Sequence, residues 1–195
     1  MKKNIRIGCG AGFSGDRLEP ALILTEKGNL DYLVLECLAE RTIALAQKRK
    51  QQDLNAGYDV LLERRIEGLL PLILEHKTRL ITNMGAANPV AGAKKILEIA
   101  KKLKLKVKVA VVLGDDVFGQ LSGEELSMEG LKPLNSYGKL VSANAYLGVD
   151  AILPALATDA QIILTGRVAD PSLFLAPMIN ELGWEKENAD LMGKG

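Results

Sequence analysis

The stretch RLITNMGAANPVAGAKKILEIAKKLKLKVKVAVVL, residues 79–113, decides the fold class. Short apolar runs at 79–83 and 107–113 open and close it, and both have the length of strands. Between them, apolar residues recur at helical spacing over 89–104. A strand, a helix and a second strand in this order predict two parallel strands joined by a right-handed crossover.

The same alternation extends along the rest of the chain. Further strands are predicted at 5–9, 31–36 and 161–165, and further helices at 18–26, 38–50, 60–76, 140–156 and 171–182. This order predicts an α/β protein: a three-layer, doubly wound fold with a mostly parallel sheet of about five strands and helices on both faces. The near-continuous apolar run at 109–113 predicts a central strand that is covered on both faces.

The helix predicted at 60–76 has one apolar face, and Glu63, Arg64, Arg65 and Glu67 are expected on the opposite, solvent-facing side. Pro71 is expected to kink this helix or to split it. His76 is the single histidine, and it closes the helix, where a base complements the helix dipole. A catalytic triad or a zinc site rich in histidine is thereby disfavoured.

The segment 114–138 interrupts the alternation with glycines and scattered acids, and it predicts a long excursion from the sheet with a short helix near 124–129. Loops of this length often serve as lids or face a partner. The length of 195 residues otherwise fits a single α/β domain over 1–195.

Composition excludes several classes of protein. Lys+Arg of 25 against Asp+Glu of 24 gives a net charge of +1, so no basic surface points to nucleic acid. No apolar run reaches the length of a membrane helix, so no membrane partner is expected. Two cysteines, Cys9 and Cys37, cannot form a disulfide framework and are expected to be buried in a cytoplasmic protein.

The loop after the first predicted strand contains Gly10-x-Gly12-x-x-Gly15, which satisfies the dinucleotide fingerprint, and Glu36 follows Gly15 by 21 residues (36 − 15). This pattern allows an NAD(P)-dependent oxidoreductase. Asp16 and Glu19, however, form a capping-box pattern whose carboxylates would repel a phosphate. A different ligand or a purely structural turn therefore remain as alternatives.

In open α/β sheets, ligands bind outside the carboxyl ends of the strands, so the residues that follow each predicted strand are the candidate site. Glu36 and Asp115 are the catalytic candidates, because a carboxylate there could carry a proton; no metal ligand is assigned. The candidates for substrate binding are Gly12, Ser14, Arg17, Asn83, Gly85, Asn88, Gly166, Arg167 and Asp170. Asn88 and Asp170 each precede a proline and are also expected to cap helices.

Four motifs in order, IRIGCGAGFSGDR (5–17), DYLVLECLAERT (31–42), NMGAANP (83–89) and TGRVADP (165–171), resemble those of the acyclic terpene utilisation (AtuA-like) family. The resemblance covers essentially the whole chain. It implies a role in the degradation of acyclic terpenes such as citronellol and geraniol, a pathway that works on acyl-CoA thioesters. It supplies no catalytic residue. Members of the family are longer, so the chain is expected to be an N-terminal portion.

Three functions are consistent with these observations. The first is an enzyme, or the N-terminal half of one, that binds a small organic acid or acyl-CoA thioester at the strand ends. The second is the NAD(P)-dependent oxidoreductase that uses the 10–15 loop. The third is a non-catalytic binding or assembly subunit, either a homo-oligomer or one that needs a second chain to supply a missing C-terminal part. The sequence identifies no cofactor.

Overall fold

The computed structural model describes residues 4–195. Within this range the strands are β1 Ile7–Ala11, β2 Tyr32–Leu35, β3 Arg79–Thr82, β4 Val109–Val112 and β5 Ile162–Thr165. The α-helices are α1 Glu19–Lys27, α2 Glu40–Gln52, α3 Leu62–His76, α4 Pro89–Lys102, α5 Val149–Leu156, α6 Ser172–Leu182 and α7 Ala189–Met192. Short 3-10 turns occur at Phe118–Gln120 and Leu134–Tyr137.

The five strands form one parallel sheet in the order β1-β2-β3-β5-β4. Alternate residues of each strand point to opposite faces, so Leu33 and Leu80 join one core while Val34 and Ile81 join the other. Helices α1, α3 and α4 pack beside one another over the first core, and α5 and α6 pack together over the second. The three-layer, doubly wound α/β fold is confirmed.

The position of β4 differs from the expectation. β4 lies at the edge of the sheet, and three of its four residues are only half-buried. β5 comes later in the chain but inserts between β3 and β4, where its residues are fully buried. A long apolar run predicts a strand, but it does not say which strands lie on either side.

The excursion is longer than predicted. Residues 140–148 are not helical, because α5 begins only at Val149, and no helix forms near 124–129. The segment that leaves the sheet therefore spans 114–148, which we call the excursion. An isolated antiparallel bridge between Asp116 and Asn144 closes it on itself, and a parallel bridge between Leu147 and Val168 ties its end to the loop after β5.

Helix α3 continues through Pro71 without being split, and it ends at His76 as expected. The prediction that Arg65 faces solvent is wrong, since its side chain is only 2% exposed. It lies three residues after Leu62 and four before Leu69, both buried, so helical periodicity places it on the inner face.

The first strand also extends further than predicted, since β1 reaches Ala11. Gly8 and Gly10 face α1, and a Cβ at Gly10 would lie 2.8 Å from a Leu35 methyl carbon and 3.0 Å from the Ala21 methyl. These glycines therefore allow α1 to pack closely on the strand. Over residues 4–195, no helix combines the length and apolar character needed to cross a bilayer.

Candidate functional site

The sheet has a point where its connections diverge. The chain leaves β3 toward α4 on one face, whereas it leaves the neighbouring β5 toward α6 on the other. In open α/β sheets, ligands bind at the carboxyl ends of the strands where such a divergence occurs. In the present conformation the residues at this point, including Asn83 and Arg167, are buried. Gly85 and Thr165 bring the two loops together, since a Cβ at Gly85 would lie 2.5 Å from the Thr165 carbonyl oxygen. We call this region the β3/β5 crevice.

Asn83 links the loop after β3 to the loop after β2. It is fully buried; its carbonyl oxygen accepts a hydrogen bond from the Cys37 N–H at 2.7 Å, and its amide donates to Glu36 Oε1 at 2.8 Å. The same Glu36 oxygen accepts the Leu38 N–H at 3.0 Å. Glu36, which is half-buried, is thus held in a fixed orientation at the edge of the β3/β5 crevice.

Arg167 follows β5 and is 2% exposed. Its Nη1 donates to the Leu38 carbonyl oxygen at 2.7 Å and lies 3.8 Å from an Asp170 carboxylate oxygen. The guanidinium also stacks on the Tyr146 ring, with 4.5 Å between its central carbon and the ring centroid. Its Nη2 is the one buried side-chain nitrogen or oxygen atom within residues 4–195 that has no hydrogen-bond partner.

Asp115 follows β4 and lies across the backbone of β5. Its Oδ2 accepts hydrogen bonds from the Arg167 N–H and from the Asn144 amide, both at 2.9 Å. A Cβ at Gly166 would lie 2.6 Å from either carboxylate oxygen, so glycine is needed there. Asp116, the next residue in this extended segment, points the other way and pairs with Lys50 at 3.4 Å.

Tyr146, from the excursion, covers the guanidinium of Arg167. Its hydroxyl donates a hydrogen bond to the Glu40 carboxylate at the start of α2. This bond raises the pKa of Tyr146 and lowers the pKa of Glu40, since it stabilises the carboxylate and the protonated phenol together. Because Tyr146 is itself 55% exposed, a small movement of its side chain would open Arg167 to solvent.

A second polar cluster lies beneath the loop after β1. Ser14 Oγ donates to Asp59 Oδ2 at 2.7 Å, and Asp59 is buried. Arg65 Nη2 donates to the main-chain carbonyls of Ser14 and Asp16, both at 2.9 Å, while Nη1 contacts the Cys37 sulfur. Burial raises the pKa of Cys37 to about 12, against the opposing effect of Arg65, so the thiol stays protonated at neutral pH.

The glycine loop does not have the geometry of a dinucleotide site. The Gly12 N–H already donates to the Asp16 carboxylate at 2.8 Å, and α1 begins only at Glu19, without a side-chain cap. The predicted capping box is therefore wrong. Strand β1 also lies at the edge of the sheet, whereas dinucleotides bind where the strand order reverses. Gly12 and Arg17 instead line an open hollow of about 450 Å³.

The two predicted helix caps have different outcomes. Asn88 caps α4 by accepting the Ala91 N–H at 3.2 Å, and its amide donates to the carbonyls of Leu54 and Ala56. Asp170 does not cap α6, which begins at Ser172 without a side-chain cap. It is exposed and lies beside Arg167 instead.

The candidates lie at three places in the fold. Six lie at the β3/β5 crevice or directly beside it: Glu36, Asn83, Gly85, Asp115, Gly166 and Arg167, with Asp170 at its rim. Gly12, Ser14 and Arg17 belong to the loop after β1, and Asn88 lies at the start of α4. No group of three or more His, Cys, Asp or Glu side chains within 4–195 is placed to hold a metal ion.

Sequence reasoning missed Arg65, Asp59 and Tyr146, and Cys9 is exposed rather than buried. Helical periodicity could have identified Arg65. Tyr146 lies in a stretch that was expected to be helical, and nothing in its local sequence indicates that it stacks on Arg167.

Comparison with known proteins agrees with the resemblance of the motifs. The sequence model of the family described as "Acyclic terpene utilisation family protein AtuA" matches residues 5–195. No curated protein and no solved structure matches the chain. Since the matched region extends over the whole fold, the chain belongs to the acyclic terpene utilisation family.

Proposed function

We propose that the β3/β5 crevice binds the carboxylate of a small organic acid, or the carbonyl of its acyl-CoA thioester, and that the chain acts there as an enzyme of acyclic terpene catabolism. Membership of the family associates the chain with acyclic terpene utilisation. The chemistry of the crevice residues supports the class of ligand.

The observation that carries this proposal is the unpaired Nη2 of Arg167. A buried donor without an acceptor costs about 1–3 kcal/mol, and more when the group is charged. A ligand oxygen placed against Nη2 would remove this cost, and guanidinium binds carboxylates with short, strong hydrogen bonds. Tyr146 would have to move aside for the ligand to enter, because Nη2 is covered in the present conformation.

The carboxylates divide the remaining roles. Glu36 is half-buried and oriented by Asn83, so it is our candidate for the group that moves a proton. Asp115 accepts hydrogen bonds from the Arg167 backbone and from Asn144, which suits a residue that positions the loop after β5. We infer that Asp115 acts through Arg167, and that Glu36 faces the ligand.

Arg167→Met tests the proposal, because methionine retains much of the side-chain volume and removes the guanidinium. Isovaleryl-CoA at 100 times its dissociation constant should stabilise the wild-type protein by about 2.7 kcal/mol. The variant should lose this stabilisation, which differential scanning fluorimetry measures as the difference between its melting temperatures with and without the ligand. Arg41→Met on the exposed surface of α2 is the control, and it should retain the full shift. An undiminished shift in Arg167→Met would exclude Arg167 as the anchor.

The alternative function, an NAD(P)-dependent oxidoreductase, predicts that the protein binds a nicotinamide dinucleotide. If the glycine loop bound NAD(P), fluorescence titration with NADH would saturate, and Asp16 would have to release the Gly12 N–H first. We expect no saturable binding.

A second candidate function is that of a binding or assembly subunit. Exposed apolar side chains on the excursion support it: Leu126 is 62%, Met128 91% and Leu131 73% exposed. Apolar groups in such number often mark a surface that meets another chain. Light scattering distinguishes the two functions, since a monomer that binds isovaleryl-CoA unaided would contradict this second one.

A further inference from the structure

A second cavity lies between the loop after β1 and helix α3. It has a volume of about 250 Å³, and its walls include three arginines, Arg17, Arg64 and Arg65, together with Asp16 and Glu19. It adjoins the glycine-loop hollow, with which it shares Gly15, Asp16 and Arg17. The β3/β5 crevice is formed by other residues, so this cavity is a separate feature, which we call the arginine pocket.

The buried arginine of this pocket forms no ion pair within residues 4–195, and the nearby Asp59 carboxylate is bonded to Ser14 instead. Arg65 is 2% exposed, and its guanidinium donates to two main-chain carbonyls and contacts the Cys37 sulfur. The thiol is neutral, because burial raises the pKa of Cys37 to about 12. None of these partners carries a full negative charge, and among the described residues no carboxylate lies within ion-pair distance of Arg65. A buried cation of this kind is stabilised when an anion is brought beside it.

The other two arginines are free to supply further contacts. Arg17 and Arg64 are exposed, and neither forms a side-chain hydrogen bond or ion pair with any residue of 4–195. One of the two acids in the wall is already engaged, since Asp16 accepts the Gly12 N–H at 2.8 Å. Three guanidinium groups against two carboxylates leave the pocket with an excess of positive charge.

We propose that the arginine pocket binds a phosphate or pyrophosphate group of a ligand. Guanidinium groups bind phosphate oxygens in bidentate fashion, and several of them together match the multiple charges of a phosphate better than the single charge of a carboxylate. The proposal is independent of the β3/β5 crevice. A ligand with both a carbonyl and a phosphate could use the two sites, but either site can exist without the other.

The test uses inorganic pyrophosphate and malonate as probes, at constant ionic strength set with sodium chloride. Isothermal titration calorimetry on the wild-type protein should show saturable binding of pyrophosphate and much weaker binding of malonate. Arg64→Gln and Arg17→Gln should each weaken pyrophosphate binding about tenfold, as expected for the loss of one charge-assisted hydrogen bond. Both residues are exposed, so the unliganded melting temperatures should stay unchanged.

Arg41→Gln, on the exposed first turn of α2, removes the same charge elsewhere and should bind pyrophosphate as the wild type does. The Arg167→Met variant should also retain pyrophosphate binding, so a failure of the β3/β5 crevice proposal does not affect this one. Absence of pyrophosphate binding, equal affinity for malonate, or equal weakening by Arg41→Gln would each overturn the proposal.

Discussion

Two buried arginines organise the loops at the strand ends, and each contacts a different set of groups. Arg65 is bonded to main-chain carbonyls, so it fixes the loop after β1. Within the described part of the chain, Arg167 donates to one main-chain carbonyl, that of Leu38, and its other contacts there are the Tyr146 ring and the Asp170 carboxylate at 3.8 Å. Arg65 therefore fixes a loop through neutral partners, while Arg167 keeps one donor, Nη2, without a hydrogen-bond partner in residues 4–195.

Removal of the Tyr146 ring should uncover Arg167. In Tyr146→Ala, we expect phenylglyoxal to modify Arg167 faster than in the wild-type protein, because the guanidinium no longer lies under the ring. The free energy of unfolding should fall by about 1–2 kcal/mol, because the guanidinium in this cation–π contact is buried although the ring is half-exposed. Peptide mass spectrometry measures the rate of modification.

Tyr146→Phe is the matched control, since it keeps the ring and removes only the hydrogen bond to Glu40. Arg167 should remain protected in this variant. Equal rates of modification in the wild-type protein and in Tyr146→Ala would show that the ring does not control access.

The two cysteines should differ in reactivity. Cys9 is exposed, whereas Cys37 is 2% exposed and has its pKa raised to about 12 by burial. At about pH 8, dithiobisnitrobenzoate should react with one of the two cysteines in the native protein, and higher pH should accelerate that reaction as the Cys9 thiolate increases. The absorbance of the thionitrobenzoate released from the reagent gives the number of cysteines that have reacted.

Cys9→Ser should abolish the reaction in the native state and leave one reactive thiol in urea. Rapid labelling of native Cys9→Ser would mean that Cys37 is accessible to solvent. The contact between Arg65 and the Cys37 sulfur would then not be buried.

At the scale of elements, the excursion is held by a chain of side-chain amides. The side-chain amide of Gln47 in α2 donates to Asn144 Oδ1 at 2.9 Å, and the side-chain amide of Asn144 donates to the Asp115 carboxylate. Asn144 thus joins a helix, the excursion and the end of β4. The position of Tyr146, two residues further on, depends on this anchor.

Asn144→Ala should lower the free energy of unfolding by about 1–3 kcal/mol, because it leaves the buried Gln47 and Asp115 each short of a partner. Limited proteolysis should also cut the excursion faster. Urea denaturation measures the first effect and gel electrophoresis the second.

Asn135→Ala provides the comparison, because Asn135 bonds to Glu124 at the exposed tip of the excursion. It should change the free energy of unfolding by less than about 0.5 kcal/mol. If the two variants behave alike, the amide chain does not anchor the excursion.

The order of strands and helices could be predicted from hydrophobic periodicity, because each element buries one face or two. Which strands lie next to each other could not be predicted in this way. β4 and β5 are both short apolar runs, yet of these two β5 is central and β4 lies at the edge. Residues 140–148 were expected to be helical from their composition, yet the bridges of Asn144 and Leu147 to other segments hold them extended.

The candidate site was predictable only in part. The rule that ligands bind at strand ends brought Glu36, Asn83 and Arg167 into consideration. The order of strands, which places the crevice between β3 and β5 and leaves the glycine loop at the edge, is a property of the tertiary structure.

Across the whole molecule, the sheet should be most stable at its centre. The residues of β2 and β5 are all buried, whereas β4 is half-buried and has a neighbour on one side. Hydrogen exchange followed by mass spectrometry should therefore show the slowest amides in β2, β3 and β5 and faster exchange in β4. Protection of β4 equal to that of β5 would contradict the edge position.

The insertion of β5 between two earlier strands also affects how the protein is made. β5 is the only strand that pairs with β4 within the described sheet, and Ile162 is synthesised 50 residues after Val112 (162 − 112). At ribosomal rates of about 5–20 residues per second, the nascent chain holds an unfinished sheet for roughly 3 to 10 seconds. During that interval the growing polypeptide presents an open β3 edge to the cell, and chaperones that shield such edges would act on it then.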